Sequence, residues 1–179
     1  MIIKKIVPVL VLAVLMSAPT FASNTDPIKD KKQTIVNVAA SNDAFTTLVA
    51  AVKAAGLVGV LNGNGPFTVF APVNSAFEKL PEGTVASLLK PENKKMLTSI
   101  LTYHVVSGKF KAKDVVNAIK SNNGKFVIKT VQGGKLTASL KDSKVILTDE
   151  KGNASTIIIT DVKASNGIVH AIDSVVMPK

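Results

Sequence analysis

Cysteine, arginine and tryptophan are all missing from this chain, and it has one tyrosine and two histidines. Without cysteine there is no disulfide framework, no thiolate metal site, no thiol nucleophile and no residue for a lipoprotein anchor. Without arginine, the bidentate fork that nucleic-acid and phosphate sites favour is lacking. All 22 basic residues are lysine, against 12 acidic ones, for a formal charge of +10. With so few aromatic rings on which bases could stack, a specific nucleic-acid surface is not expected. The lysines read as a soluble basic surface with weak attraction to anionic glycans or lipids.

A long apolar run is also missing, because the one at the start stops early. Lys4 and Lys5 precede the apolar Ile6–Met16, and small residues fill Ser17–Ala22. This is the layout of a secretory signal, and the run is short of the roughly 20 residues a spanning helix needs. Cleavage is expected after Ala22, leaving no membrane span and, with Lys4 and Lys5 gone from +10, a mature charge of +8. The protein is therefore expected to be secreted, either periplasmic or extracellular, in a bacterial envelope setting. Residues 23–33 are polar and aperiodic and read as a flexible leader. Residues 34–179 are enough for one domain with its own core, expected to be a monomer.

That domain is organised around Thr68–Phe77, TVFAPVNSAF. Phe67, Val69 and Ala71 alternate with Thr68, Phe70 and Pro72, so both faces of a short strand are largely apolar, as in a strand buried between two layers. Pro72 should stop it, with Asn74 as N-cap of a helix over Ser75–Leu80. Upstream, Phe45, Leu48, Val49 and Val52 form one helical stripe, capped by Ser41 or Asp43 and ended by Gly56. Downstream, Leu97, Ile100, Leu101 and His104 predict a long helix that carries His104 on its core face. Asp114 should open a helix with Val115, Val116 and Ile119.

From Lys125 the period changes to two. Phe126, Ile128 and Thr130 alternate with polar neighbours, then Leu136, Ala138 and Leu140, then Val145 and Leu147. Thr156–Thr160 is a β-branched strand, and Ile168–Met177 is apolar on both faces, as in a central strand. Helices in the first half and strands in the second argue for an α+β domain.

His104 and His170 are the only imidazoles, which bounds the enzyme hypotheses. On a strand, His170 and Asp173 point to opposite faces, and His170 and Ser174 stand about 13 Å apart. No Ser-His-Asp relay follows, and no GxSxG elbow, P-loop or HExxH helix is present. No metal-ligand spacing or cofactor motif appears, so no catalytic, metal or cofactor-binding residue is assigned. Asn153-Ala154-Ser155 matches the N-glycosylation triplet, but Asn153 is read as a turn residue.

These stretches resemble a known family. TVFAPVNSAF is similar to the first conserved box of fasciclin domains, and NGIVHAIDSVVMP (Asn166–Pro178) to the second. LTYHVVSGK (Leu101–Lys109) resembles the family's Tyr-His motif, and FTTLVAAVKAAGL (Phe45–Leu57) its first helix. The resemblance implies a wedge-like β-sandwich flanked by helices, with the two boxes as neighbouring strands. Thr68, Phe70, Pro72, Asn74, Phe77, Gly167, His170, Asp173 and Pro178 are the box positions it marks as structural. It also implies a non-enzymatic adhesion or interaction module whose partner is a cell-surface or matrix protein, a glycan or an anionic lipid surface. The Tyr-His region places Tyr103, His104 and Lys109 as candidate partner contacts. Val73 and Ser107 depart from the family's hydroxyl residue and proline at those places. The rival expectation is an envelope protein that binds a small lipid or glycan, or works catalytically, in a pocket lined by His104 or His170.

Overall fold

The computed structural model describes residues 33–179. The expected signal and all of the leader but Gln33 lie outside the described residues. The fold starts at Thr34, whose hydroxyl accepts from Asn37 N at the head of α1 (Ile35–Ala40). Ile35 and Ala39, one turn apart, are its buried face. Ser41 ends α1 by donating its hydroxyl to Val38 O, so it is not free to start the next helix. Asn42 does that instead, accepting from Ala44 N at the head of a single 3-10 turn that runs into α2 (Thr46–Ala55). The expected cap at Ser41 or Asp43 is therefore corrected by one residue. Gly56 ends α2 at φ 74, where a side chain would be strained. The short α3 (Val58–Leu61) and the Asn62–Gly65 loop then deliver the chain to β1 (Phe67–Pro72).

β1 is buried on both faces from Thr68 onward, as its sequence predicts. After it come α4 (Asn74–Glu78), α5 (Thr84–Leu88), α6 (Lys94–Tyr103), β2 (Val105–Ser107) and α7 (Ala112–Ser121). The strands β3 (Lys125–Lys129), β4 (Lys135–Lys141), β5 (Lys144–Thr148), β6 (Ala154–Ala164) and β7 (Gly167–Ile172) complete the domain. They form one sheet in the order β2-β1-β7-β6-β5-β4-β3. Only β1 and β7, the two boxes, run parallel, with Phe70 opposite His170. The sheet curls until Val106 of β2 bridges Thr130 just past β3, so it is nearly a closed barrel. This is the α+β arrangement expected, helices mainly first and strands mainly second.

Alternate residues of the paired boxes feed two cores. Val69, Ala71, Val169 and Ala171 face the helices, against Phe45, Leu48, Leu97 and Leu101. Phe70 and Ile172 face the curled sheet, with Tyr103, Ile119, Leu136, Leu147 and Val176. The parallel pair is the wall between them. Its backbones approach closely enough that a Cβ on Gly167 would collide with Phe67 O.

Four local expectations change. Asn74 does not cap its own helix; α4 starts at Asn74 after an extended Val73, with no side-chain cap, and ends at Glu78 rather than Leu80. Its amide instead accepts from Thr47 N (3.1 Å) and donates to Asp43 O (2.8 Å), satisfying the N-terminus of α2. α7 opens at Ala112, and Asp114 reaches back to accept from Lys111 N. β6 is longer than Thr156–Thr160 and its register shifts twice against β7, leaving Ile158, Ile159 and Thr160 all exposed. β7 stops at Ile172 rather than Met177, because Asp173 turns its carboxylate back to accept from Thr156 N at 2.8 Å.

Candidate functional site

The loop from β2 to α7 runs past the wall of the two boxes and is fastened to it by buried polar groups. Thr68 of β1 donates its hydroxyl to Gly108 O (2.8 Å) and accepts from Phe110 N (2.9 Å). His170 of β7 is fully buried, stacked on Phe70, with Nε2 at 2.8 Å from Phe110 O. Its Nδ1 accepts from Asp161 N at 3.2 Å, which fixes the Nε2–H tautomer. Asp161 sits in the β6 irregularity at φ 58, and its carboxylate accepts from Ala112 N at the head of α7. Burial, the largest effect, pushes the His170 pKa below its ordinary value, against the carbonyl of Phe110 and the charge of Asp161. The ring is therefore neutral, and both of its nitrogens are engaged.

Tyr103 and His104, at the end of α6, turn inward. Tyr103 is 0% exposed; its hydroxyl donates to Lys135 O (2.6 Å) and accepts from Glu150 N (3.3 Å), linking α6 to the β4 and β5 ends. Burial is the main reason that its pKa is pushed up to about 12. His104 is 2% exposed. Its Nδ1–H donates to Ile100 O (2.8 Å), while Nε2 accepts from Val176 N (3.3 Å). The ring thus holds the C-terminal tail, and only its backbone carbonyl reaches the first box, at Phe70 N. Burial lowers its pKa to about 4, with Ile100 O and Asp149 opposing.

Two carboxylates complete the hold on the tail. Asp149 accepts from Lys151 N, Asn153 N, Asn153 Nδ2 and Met177 N. Asp173 accepts from Thr156 N and forms an ion pair with Lys79 at 3.6 Å. Burial alone would raise the Asp173 pKa, but Thr156, Lys79 and Ser174 together hold it below the usual carboxylate value. Ser174 bonds to Asp173 and Ser155, and neither it nor Asp173 meets an imidazole. Of the other box positions, Pro72 is buried, while Phe77 and Pro178 are half-buried. Among the described residues, no group of three or more His, Asp or Glu is placed to hold a metal ion. No buried side-chain nitrogen or oxygen there lacks a partner.

Of the three expected partner contacts, Lys109 alone is exposed. The Tyr103 ring is buried and its hydroxyl is bonded within the fold. Lys109 stands over a polar groove of about 400 Å³ at the end of the paired boxes, shared with Asn62–Pro66, Thr34 and Ser165–Gly167. Sequence reading missed the groove, because its four walls are far apart in the chain and meet only through the β1–β7 pairing. It missed Asp149 and the bond from Ala112 N to Asp161 as well. For Asp149 a local signal exists in the Asp-x-x-x-Asn turn; for Asp161 none does.

Comparison with known proteins places these features. A family model described as "Fasciclin domain" matches residues 43–178. Protein sll1483 of Synechocystis is 48% identical over 171 residues, covering 96% of this chain and 88% of its own length. Immunogenic protein MPB70 of Mycobacterium bovis is 39% identical over 165 residues, covering 88% of this chain and 77% of its own length. Transforming growth factor-beta-induced protein ig-h3 of Sus scrofa is 38% identical over 146 residues, which are 81% of this chain but 19% of that protein. Among solved structures, a FAS1 domain pair from the insect cell adhesion molecule fasciclin I superposes with a TM-score of 0.70 at 19% identity. The match takes in 79% of this chain and half of that one.

Proposed function

The chain belongs to the fasciclin domain family, and from that premise we propose that it is an exported adhesion module that holds an envelope or extracellular partner at the Lys109 groove. Domains of this family are typically adhesion or interaction modules. The observation that carries the reading is the division at the Tyr-His motif: Tyr103 and His104 are spent on holding the fold, while Lys109 opens onto a solvent-lined groove. Export is supported by the charged, apolar and small-residue order of Met1–Ala22. It is supported too by a relative described as a cell surface glycolipoprotein, MPB83 of Mycobacterium bovis, 33% identical over 150 residues. No helix of the described residues is long and apolar enough to cross a membrane.

The rival, a ligand pocket served by an imidazole, has less support. Both rings use both nitrogens internally. The cavity that His104 touches, between α1, α2 and β1, is apolar and about 30 Å³, room for no more than a water or two. The test is export followed by capture. N-terminal sequencing of the exported protein should read from Ser23, and a retained Met1 would overturn the processing. The immobilised mature chain should then bind envelope material saturably at physiological salt. Binding seen only at low salt would reduce the interaction to diffuse lysine charge, screened over about 8 Å, and overturn the module reading.

A further inference from the structure

The Lys109 groove has a chemistry that narrows what it could hold. No Asp or Glu lines it. The ammonium of Lys109 has no carboxylate partner among the described residues, and the Asn64 amide and Ser165 hydroxyl make no hydrogen bond there. Exposed Pro66 adds one apolar ring face. Three other surface hollows differ: one contains Glu82, one sets Glu92 beside Lys94 and Lys95, and one, which carries Lys53, is otherwise mainly alanine and valine. The groove thus combines an uncompensated cation with several uncommitted polar groups.

Its floor is also rigid. Asn166 donates to Leu61 O (2.7 Å) and Gly63 O (3.1 Å) and accepts from Ile35 N (3.0 Å). Thr34 donates its hydroxyl to Asn62 Oδ1 (2.6 Å), and Gly108 N donates to Pro66 O (2.9 Å). A loop tied this way loses little conformational freedom on binding. Its volume of about 400 Å³ suits a small ligand. A protein partner would want a desolvated pocket for an aromatic or aliphatic anchor, and the lining offers none.

We infer that the groove is a subsite for an acidic sugar, a uronic acid unit of a polysaccharide. Lys109 pairs with the carboxylate, Asn64 and Ser165 hold ring hydroxyls, and Pro66 lies against the sugar's C–H face. The inference rests on the groove being the module's partner contact. Because the same ammonium would also accept a phosphate, the probes must separate the two anions.

The experiment is a titration of the full mature chain at physiological salt, followed by backbone amide NMR, with trigalacturonate, neutral galactotriose and inorganic phosphate. Trigalacturonate should shift the amides of Gly63, Asn64, Gly65, Lys109 and Ser165 saturably. It should bind about fivefold more tightly than galactotriose, as one exposed ion pair allows. Lys109→Gln should bring the acid down to the neutral sugar's affinity, and Lys109→Arg should keep the preference. Equal binding of phosphate at the same amides would reduce the site to an anion subsite and overturn the sugar assignment. So would shifts spread over the lysines of α7 and β3 to β5. If neither sugar binds but an envelope protein is captured and lost with Lys109→Glu, the groove is a protein contact, and only the sugar inference fails. If the groove amides respond to nothing and capture does not depend on Lys109, both readings fail.

Discussion

Acidification between pH 8 and 5 should weaken this fold through a ring that carries no charge in it. His104 is sealed between Ile100 O and Val176 N, and burial lowers its pKa from 6.5 to about 4. The unfolded chain therefore takes up a proton that the folded chain refuses. The stabilisation is fully present above pH 6.5 and is lost as pH falls through the window down to about 4. The gap corresponds to about 3 kcal/mol, of which about 2 kcal/mol is gone by pH 5. His170, lowered in the same direction, adds to the loss. Asp173 acts in a separate window, because a carboxylate held below 3.8 gives up its contribution only under strongly acid conditions. Urea unfolding at pH 8 and pH 5, at constant ionic strength, should show a loss of at least about 2 kcal/mol with little change in slope. His104→Gln should be less stable than the native chain at pH 8 and lose less on going to pH 5. Equal stability of the native chain at both pH values, or a His104 ring that titrates near 6.5, would refute the reasoning.

Three further outcomes follow from contacts elsewhere. With one tyrosine and no tryptophan, absorbance at 295 nm reports Tyr103 alone, and the folded chain should show no phenolate until near pH 12; a midpoint near 10 would mean an exposed hydroxyl. Gly167→Ala should cost about 2 kcal/mol or more by chemical denaturation, because its Cβ would fall on Phe67 O; unchanged stability would show that the β1–β7 pair separates freely. Thr68→Val should cost about 1–3 kcal/mol by leaving Gly108 O and Phe110 N unpaired, with Thr68→Ser restoring part of it; a neutral Val variant would mean that water replaces the hydroxyl.

What the sequence makes legible is what local pattern determines. The two-faced apolar run of β1, its stop at Pro72, the stripe of α2 and its end at Gly56 follow from periodicity and backbone chemistry, and all appear in the fold. Asn74 is illegible in the same terms, since an Asn before a helix looks like its cap, and the backbone that it serves at Asp43 and Thr47 is brought to it only by packing. The helical stripe correctly turns His104 inward, but not toward Val176, because the break at Asp173 that frees the tail depends on Thr156. Local pattern does not assign Tyr103 to solvent or core; the carbonyl of Lys135 decides it. The groove is hidden most fully, since residues 34, 62–66, 109 and 165–167 show no shared period.

The central claim is that partner contact belongs to the Lys109 groove and that the Tyr-His pair holds the fold. It is tested most directly by measuring capture of envelope material at physiological salt for the native chain, Lys109→Glu and Tyr103→Phe, each first shown to be folded. Lys109→Glu should lose most of the captured material, and Tyr103→Phe, which keeps the buried ring, should match the native chain. Full capture by Lys109→Glu together with loss in a folded Tyr103→Phe would contradict the account.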